Sequence, residues 1–142
     1  MQVDFYHLAR SPLERVLPSI CEKVLAAGER LLIVAGPDLL ARIDEQLWTA
    51  APDSFLPHGR DRPESQPILL SGEPLPANGA ANIALADGAW REEALGFGRA
   101  FYFFDDGMRD AARETWRALK DNPDVESRYW MQDDRGKWVQ GP

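Results

Sequence analysis

Cysteine occurs once, at Cys21. No disulfide can form within the chain, and the thiol reads as a small core side chain rather than a reactive group. Histidine occurs twice, at His7 and His58, and with one cysteine these do not compose a zinc set; no cofactor is expected. No apolar run approaches the roughly 20 residues needed to cross a bilayer. The N-terminus opens on alternating, strand-like residues instead of a basic segment followed by an apolar one, so the chain is expected in the cytoplasm. Positive charge is scarce: 16 lysines and arginines stand against 23 aspartates and glutamates, a formal charge of -7. That balance argues against a surface that follows a nucleic-acid backbone as a whole, and leaves room for a local basic patch. There is no helix-turn-helix pattern and no internal repeat.

What is present is apolar material, 44% of 142 residues, enough for one core, so residues 1–142 read as a single domain. "VDFYHLA" (Val3 to Ala9) is compatible with a first strand. "SPLE" then places Ser11 at an N-cap, Pro12 at the first helical position and Glu14 at the third, a capping box. Leu13, Val16, Leu17, Ile20, Val24 and Leu25 follow on one helical stripe that Gly28 ends, with Pro18 expected to kink it. Arg30 to Ala35 is apolar without alternation, as in a strand covered on both faces. A second helix presents Leu39, Leu40, Ile43 and Leu47. A long Pro- and Gly-rich crossing contains short strands at Ile68 to Leu70 and Asn82 to Ala86. Trp90 to Phe97 suggests a short helix and Arg99 to Phe104 an aromatic strand. Asp105 and Asp106 are placed to cap a helix from Gly107 to Lys120; chelation of a metal by this pair is the weaker reading. Asp134-Arg135-Gly136 between tryptophan-bearing runs suggests a hairpin or an irregular arm over 127–142. Strands alternating with helices predict a three-layer α/β domain with a mostly parallel sheet.

The junction "RLLIVAGPDLLARIDEQLW" raises the question of phosphate, because many nucleotide-binding proteins hold it where a buried strand breaks at glycine into a helix. A phosphate loop needs converging backbone N–H groups, then a lysine and a hydroxyl. Here Gly36 stands alone, Pro37 has no N–H to give and Asp38 repels an anion. Gly36 makes the turn and Pro37 begins the helix. The fold then resembles a nucleotide-binding one without a phosphate-binding loop; a small nucleotide- or phosphate-dependent enzyme remains the alternative function. Ser54, Ser65 and Ser71 lack a nucleophile-elbow context. His7 reads as a strand-surface or core-edge residue and His58 as a loop residue beside a packing cluster.

On the last helix Arg109, Arg113 and Arg117 recur every four residues, with Trp116 and Lys120 beside that stripe, while Met108, Ala112, Thr115 and Leu119 form the opposite, packing face. Cationic donors next to an indole suit a short acidic peptide with a terminal carboxylate. The plain alternative is a solvated charged face. Trp48 and Phe55 read either as a hydrophobic cluster that pins a loop or as interface anchors.

The runs "RIDEQLWTAAPDSFLPH" (Arg42 to His58) and "AARETWRALK" (Ala111 to Lys120), with "FYHL" and "RLLIVAGPD" before them in the same order, resemble the chi subunit of bacterial DNA polymerase III holoenzyme. The most specific part runs from "LW" through "PDSFLPH". The resemblance implies an α/β fold without nucleotide chemistry and no intrinsic catalysis. It further implies an adaptor between the clamp-loader complex, through the psi subunit, and the acidic C-terminal tail of single-stranded DNA-binding protein, with DNA contact only indirect. Arg113, Trp116 and Arg117 match the family's tail-binding helix, flanked by Arg109 and Lys120. Trp48 and Phe55 match the aromatic positions that contact psi or a competing helicase. A structural subunit that uses only the Trp48 and Phe55 surface is a third reading.

Overall fold

The uninterrupted apolar segments become strands covered on both faces. In the computed structural model, which describes residues 1–49 and 57–141, the elements follow as β1 (Gln2–His7), α1 (Leu13–Ala26), β2 (Leu31–Val34), α2 (Pro37–Thr49), β3 (His58–Gly59), β4 (Ile68–Ser71), β5 (Asn82–Leu85), β6 (Arg99–Phe104), α3 (Arg109–Lys120), β7 (Glu126–Gln132) and β8 (Trp138–Gln140). They build one eight-stranded sheet in the order β3-β4-β2-β5-β6-β1-β7-β8. Every pairing is parallel except the β7–β8 hairpin. This is the expected α/β architecture. In β2, Leu31 and Ile33 pack toward α1 and α2 while Leu32 and Val34 pack toward the side of α3. All four are fully buried, which is why the segment shows no alternation. Each contributes roughly 1.5–3 kcal/mol of burial. Among the described residues no helix is long and apolar enough to cross a membrane.

Several local expectations fail for identifiable reasons. The capping box on α1 does not form: Pro12 is the N-cap and no side chain caps it. Ser11 is committed to the far end of the chain, its N–H donating to Gln132 Oε1 at 3.0 Å and its hydroxyl accepting from Gln132 Nε2 at 2.9 Å. α1 runs through Pro18, held by the buried stripe of Val16, Leu17, Ile20, Cys21 and Val24. Gly28, at φ +75°, takes the left-handed position after the helix that glycine adopts without steric cost. α3 begins at Arg109, after a 3-10 turn at Asp106–Met108, and neither Asp105 nor Asp106 makes a capping bond. The expected helix at Trp90 to Phe97 is a 3-10 segment, Glu92–Gly96. His58 lies in β3 and not in a loop; its side chain is buried, with Nε2 3.0 Å from Asp44 Oδ1.

The last strands extend the sheet. β7 pairs with β1 in parallel, placing Tyr129 opposite Phe5, and β8 returns along β7. Asp4, at 0% exposure, ties this edge together. Its carboxylate accepts from Arg99 Nε on β6 at 2.8 Å, from Trp130 Nε1 on β7 at 3.0 Å and from Gln2 Nε2 at 3.0 Å. A buried carboxylate is tolerable when its oxygens are this well occupied.

The β2–α2 junction answers the phosphate question. The Gly36 N–H, which a phosphate would engage, donates to Asp87 Oδ2 at 3.1 Å, and Arg91 pairs with the same carboxylate through both terminal nitrogens at 2.9 Å. An internal anion from the end of β5 thus sits at the start of α2. Burial alone would raise the Asp87 carboxyl, but Arg91 and the N–H groups of Ala89 and Gly36 outweigh it and hold the group below its ordinary value.

Two outcomes follow from these carboxylates. Asp4→Ala strands Arg99 and the Trp130 indole N–H, and should lower the unfolding free energy in urea by roughly 2–4 kcal/mol; a loss under about 1 kcal/mol would contradict the role given to it. Because Asp87 titrates lower in the folded state, its stabilisation is complete above an unfolded value of about 3.9 and is lost as pH falls through the folded value. Asp87→Asn should therefore flatten the decline of the urea midpoint below about pH 4, and an unchanged slope would contradict the anchoring.

Candidate functional site

α3 is amphipathic in the most direct sense. Ala112 and Leu119 are buried against the sheet, Met108, Thr115 and Trp116 are half-buried, and Arg109, Arg113, Arg117 and Lys120 are exposed. Trp116 is seated edge-on against Phe5 of β1, with ring centroids 5.2 Å apart, and edge-on against Tyr129 of β7 at 6.4 Å. Such T-shaped contacts are worth about 0.5–1.5 kcal/mol beyond the area they bury. They leave the indole supported from below and still partly open.

Between α3 and β7 lies a groove of about 370 Å³. Phe5, Phe104 and Ala112 make its floor, Trp116 and Tyr129 its aromatic walls, and Arg109, Arg113, His7 and Met131 complete the lining. Three of the sequence-identified residues, Arg109, Arg113 and Trp116, are thereby brought to one cleft. Arg117 is exposed but does not line it. Lys120 stands outside too, its ammonium 4.7 Å over the Trp116 ring, a cation–π contact that covers the indole on another side. Among the described residues Arg109 pairs with Asp106 at 3.6 Å, whereas Arg113, Arg117 and Lys120 enter no ion pair. On a protein of net charge -7 these are cations held in no close ion pair, beside an aromatic platform.

His7, Tyr129 and Met131 line the cleft without having been assigned to a site from the sequence, where His7 read as a strand-surface or core-edge residue. His7, at the end of β1, is buried and stacked on Phe104 at 5.0 Å. Its Nε2 lies 2.6 Å from Asp106 Oδ1, and its Nδ1 lies 3.0 Å from the Tyr129 hydroxyl. A neutral imidazole with its proton on Nε2 satisfies both contacts, donating to Asp106 and accepting from Tyr129. Burial pushes the Tyr129 phenol up, against the lowering influence of Arg109 and Arg113, so it remains a donor. These partners are 99 and 122 residues from His7. Tyr129 and Met131 could have been sought in the alternation of "SRYWMQ", where 127, 129 and 131 face α3 and Trp130 faces the other layer.

The second surface lies elsewhere. Trp48, near the end of α2, is 58% exposed and meets the His58 ring edge-on at 4.9 Å. Phe55 falls outside the described residues. Five strand steps separate β3 from β1 in the sheet order, about 24 Å at the usual spacing, and α2 and α3 lie on opposite faces.

The arrangement offers binding chemistry. The strand-to-helix junction is filled by Asp87, and among the described residues no three His, Cys, Asp or Glu side chains gather as a metal site. No individual curated protein matches the chain. The family model of the DNA polymerase III chi subunit, HolC, matches residues 1–123, which span β1 to the end of α3 and include the Arg and Trp side of the groove. This chain belongs to the chi subunit family of DNA polymerase III, an accessory and non-catalytic part of the replicative holoenzyme.

Proposed function

We propose that this chain is a cytoplasmic replication adaptor that links the clamp-loader complex, through psi, to the acidic C-terminal tail of single-stranded DNA-binding protein. The observation that carries the reading is the groove between α3 and β7, with Arg109 and Arg113 beside an aromatic floor. An acidic peptide that ends in an apolar residue presents two chemistries a few ångströms apart. The apolar side chain fits over Phe5 and Phe104, between Trp116 and Tyr129, and the terminal carboxylate meets the Arg113 guanidinium, which enters no ion pair among the described residues. A guanidinium holds a carboxylate through two parallel N–H bonds. Arg117 and Lys120 extend the positive field toward acids further from the terminus.

Trp48, with Phe55, supplies the surface for psi, or for a helicase that competes for it; a half-exposed indole is an effective interface anchor. Placement on the opposite layer lets both partners be held at once, so tethering raises the effective concentration of each near the other.

Titration of a peptide carrying the acidic tail into the purified protein should give saturable binding that weakens with salt, because the Coulomb component is screened. Arg113→Glu should weaken binding at least about tenfold, equivalent to about 1.4 kcal/mol, and Arg117→Glu clearly less, since only the former lines the groove. Equal effects, or none, would contradict the geometry. Trp48→Ala should leave the peptide affinity within about twofold while abolishing capture of psi; a parallel loss of both would show that the two surfaces are not independent.

A further inference from the structure

Asp106 sits where a bound peptide's acid would compete with it. Its Oδ1 is 3.6 Å from Arg109 Nη2 and 2.6 Å from His7 Nε2, and both of those residues line the groove. The carboxylate is itself 71% exposed. It is held at this rim by a nearly buried imidazole, which is fixed in turn by the Tyr129 hydroxyl and the stacked Phe104 ring. The position is built, since an exposed aspartate with no such partner would sample many rotamers. Burial raises the Tyr129 phenol, Arg109 and Arg113 lower it, and Asp106 raises it.

We infer that Asp106 is a built-in competitor for the groove: it engages Arg109 in the free protein, so that an acidic peptide must displace it, and thereby moderates the groove's affinity for peptides with more than one acid. This rests on the tail-binding reading above. Arg113, with no ion-pair partner among the described residues, is open to the first carboxylate that arrives. Arg109 becomes available only to a ligand with a second negative charge close enough to take the place of Asp106. A singly charged ligand gains nothing from Arg109 and still meets the repulsion of Asp106. Asp106 therefore weighs most on a multiply acidic terminus, which must both displace it and bear the larger repulsion, and so holds that affinity down.

The test is isothermal titration of the full-length protein with two synthetic peptides that end in the same apolar residue, one with acids preceding it and one with those acids replaced by their amides. Asp106→Asn keeps an oxygen to accept from His7 Nε2 while removing the charge. Glu22→Gln, on the exposed face of α1 in the opposite layer, makes the same change in net charge away from the groove. Asp106→Asn should tighten binding of both peptides, by about three- to tenfold for the acidic one and less for the amidated one, and should widen the ratio between them, with Glu22→Gln changing either by less than twofold. Wild-type binding that Asp106→Asn leaves unchanged, or that Glu22→Gln tightens equally, overturns the competitor role and leaves the tail-binding reading intact. Absence of binding by wild type and Asp106→Asn alike overturns both. Binding that appears only in Asp106→Asn supports the competitor role in its strongest form.

Discussion

The T-shaped contact between the Trp116 indole and the Phe5 ring is the one on which the proposed binding surface depends. One side chain does two things there. It anchors α3 to the sheet beside Ala112 and Leu119, and it stands as one wall of the groove opposite Tyr129. Because the ring is gripped from below, its exposed part is rigid, and a rigid aromatic platform loses little entropy when a ligand covers it. The arginines gain their value from the same anchoring, since a helix turn fixes Arg109 and Arg113 one above the other along the cleft. A loosely docked helix would offer the same charges without the geometry.

The fold explains why a nucleotide-like scaffold serves binding. The feature that made the β2–α2 junction resemble a phosphate site, a strand breaking at glycine into a helix, is real in the structure. The anion it would have received is supplied internally by Asp87, locked in place by Arg91. With that junction closed, the cations beside an aromatic groove are those of α3, and in the proposed adaptor a partner with a concentrated negative segment binds there. In the proposed adaptor, Trp48 takes the other layer, so engagement of one partner need not disturb the other.

Much of the architecture was legible because the sheet is buried on both faces, so that "LLIV" and "FYFF" stand out as uninterrupted apolar runs, and because α3 separates its arginines from Ala112 and Leu119 by simple helical spacing. What was not legible depended on distant partners. Ser11 looked like a cap in its local sequence, but Gln132 from the C-terminal hairpin claims both its N–H and its hydroxyl. Asp106 looked like a helix cap and instead binds His7. β3 is too short for any periodicity, and His58 meets Asp44 and Trp48 of the preceding helix only once the chain is folded. The half of the groove made by Tyr129 and Met131 was hidden because β7 could be placed beside β1 only once the sheet order was known.

In the proposed adaptor the acidic peptide lies between α3 and β7. Backbone amide NMR shifts of the labelled protein, recorded as the peptide is added, test this most directly. The expected result is that the largest perturbations fall at 109–117 and 129–131, with 44–49 and 58–61 unmoved. Perturbations concentrated along α2 and β3, or spread evenly over the acidic surface, would contradict it.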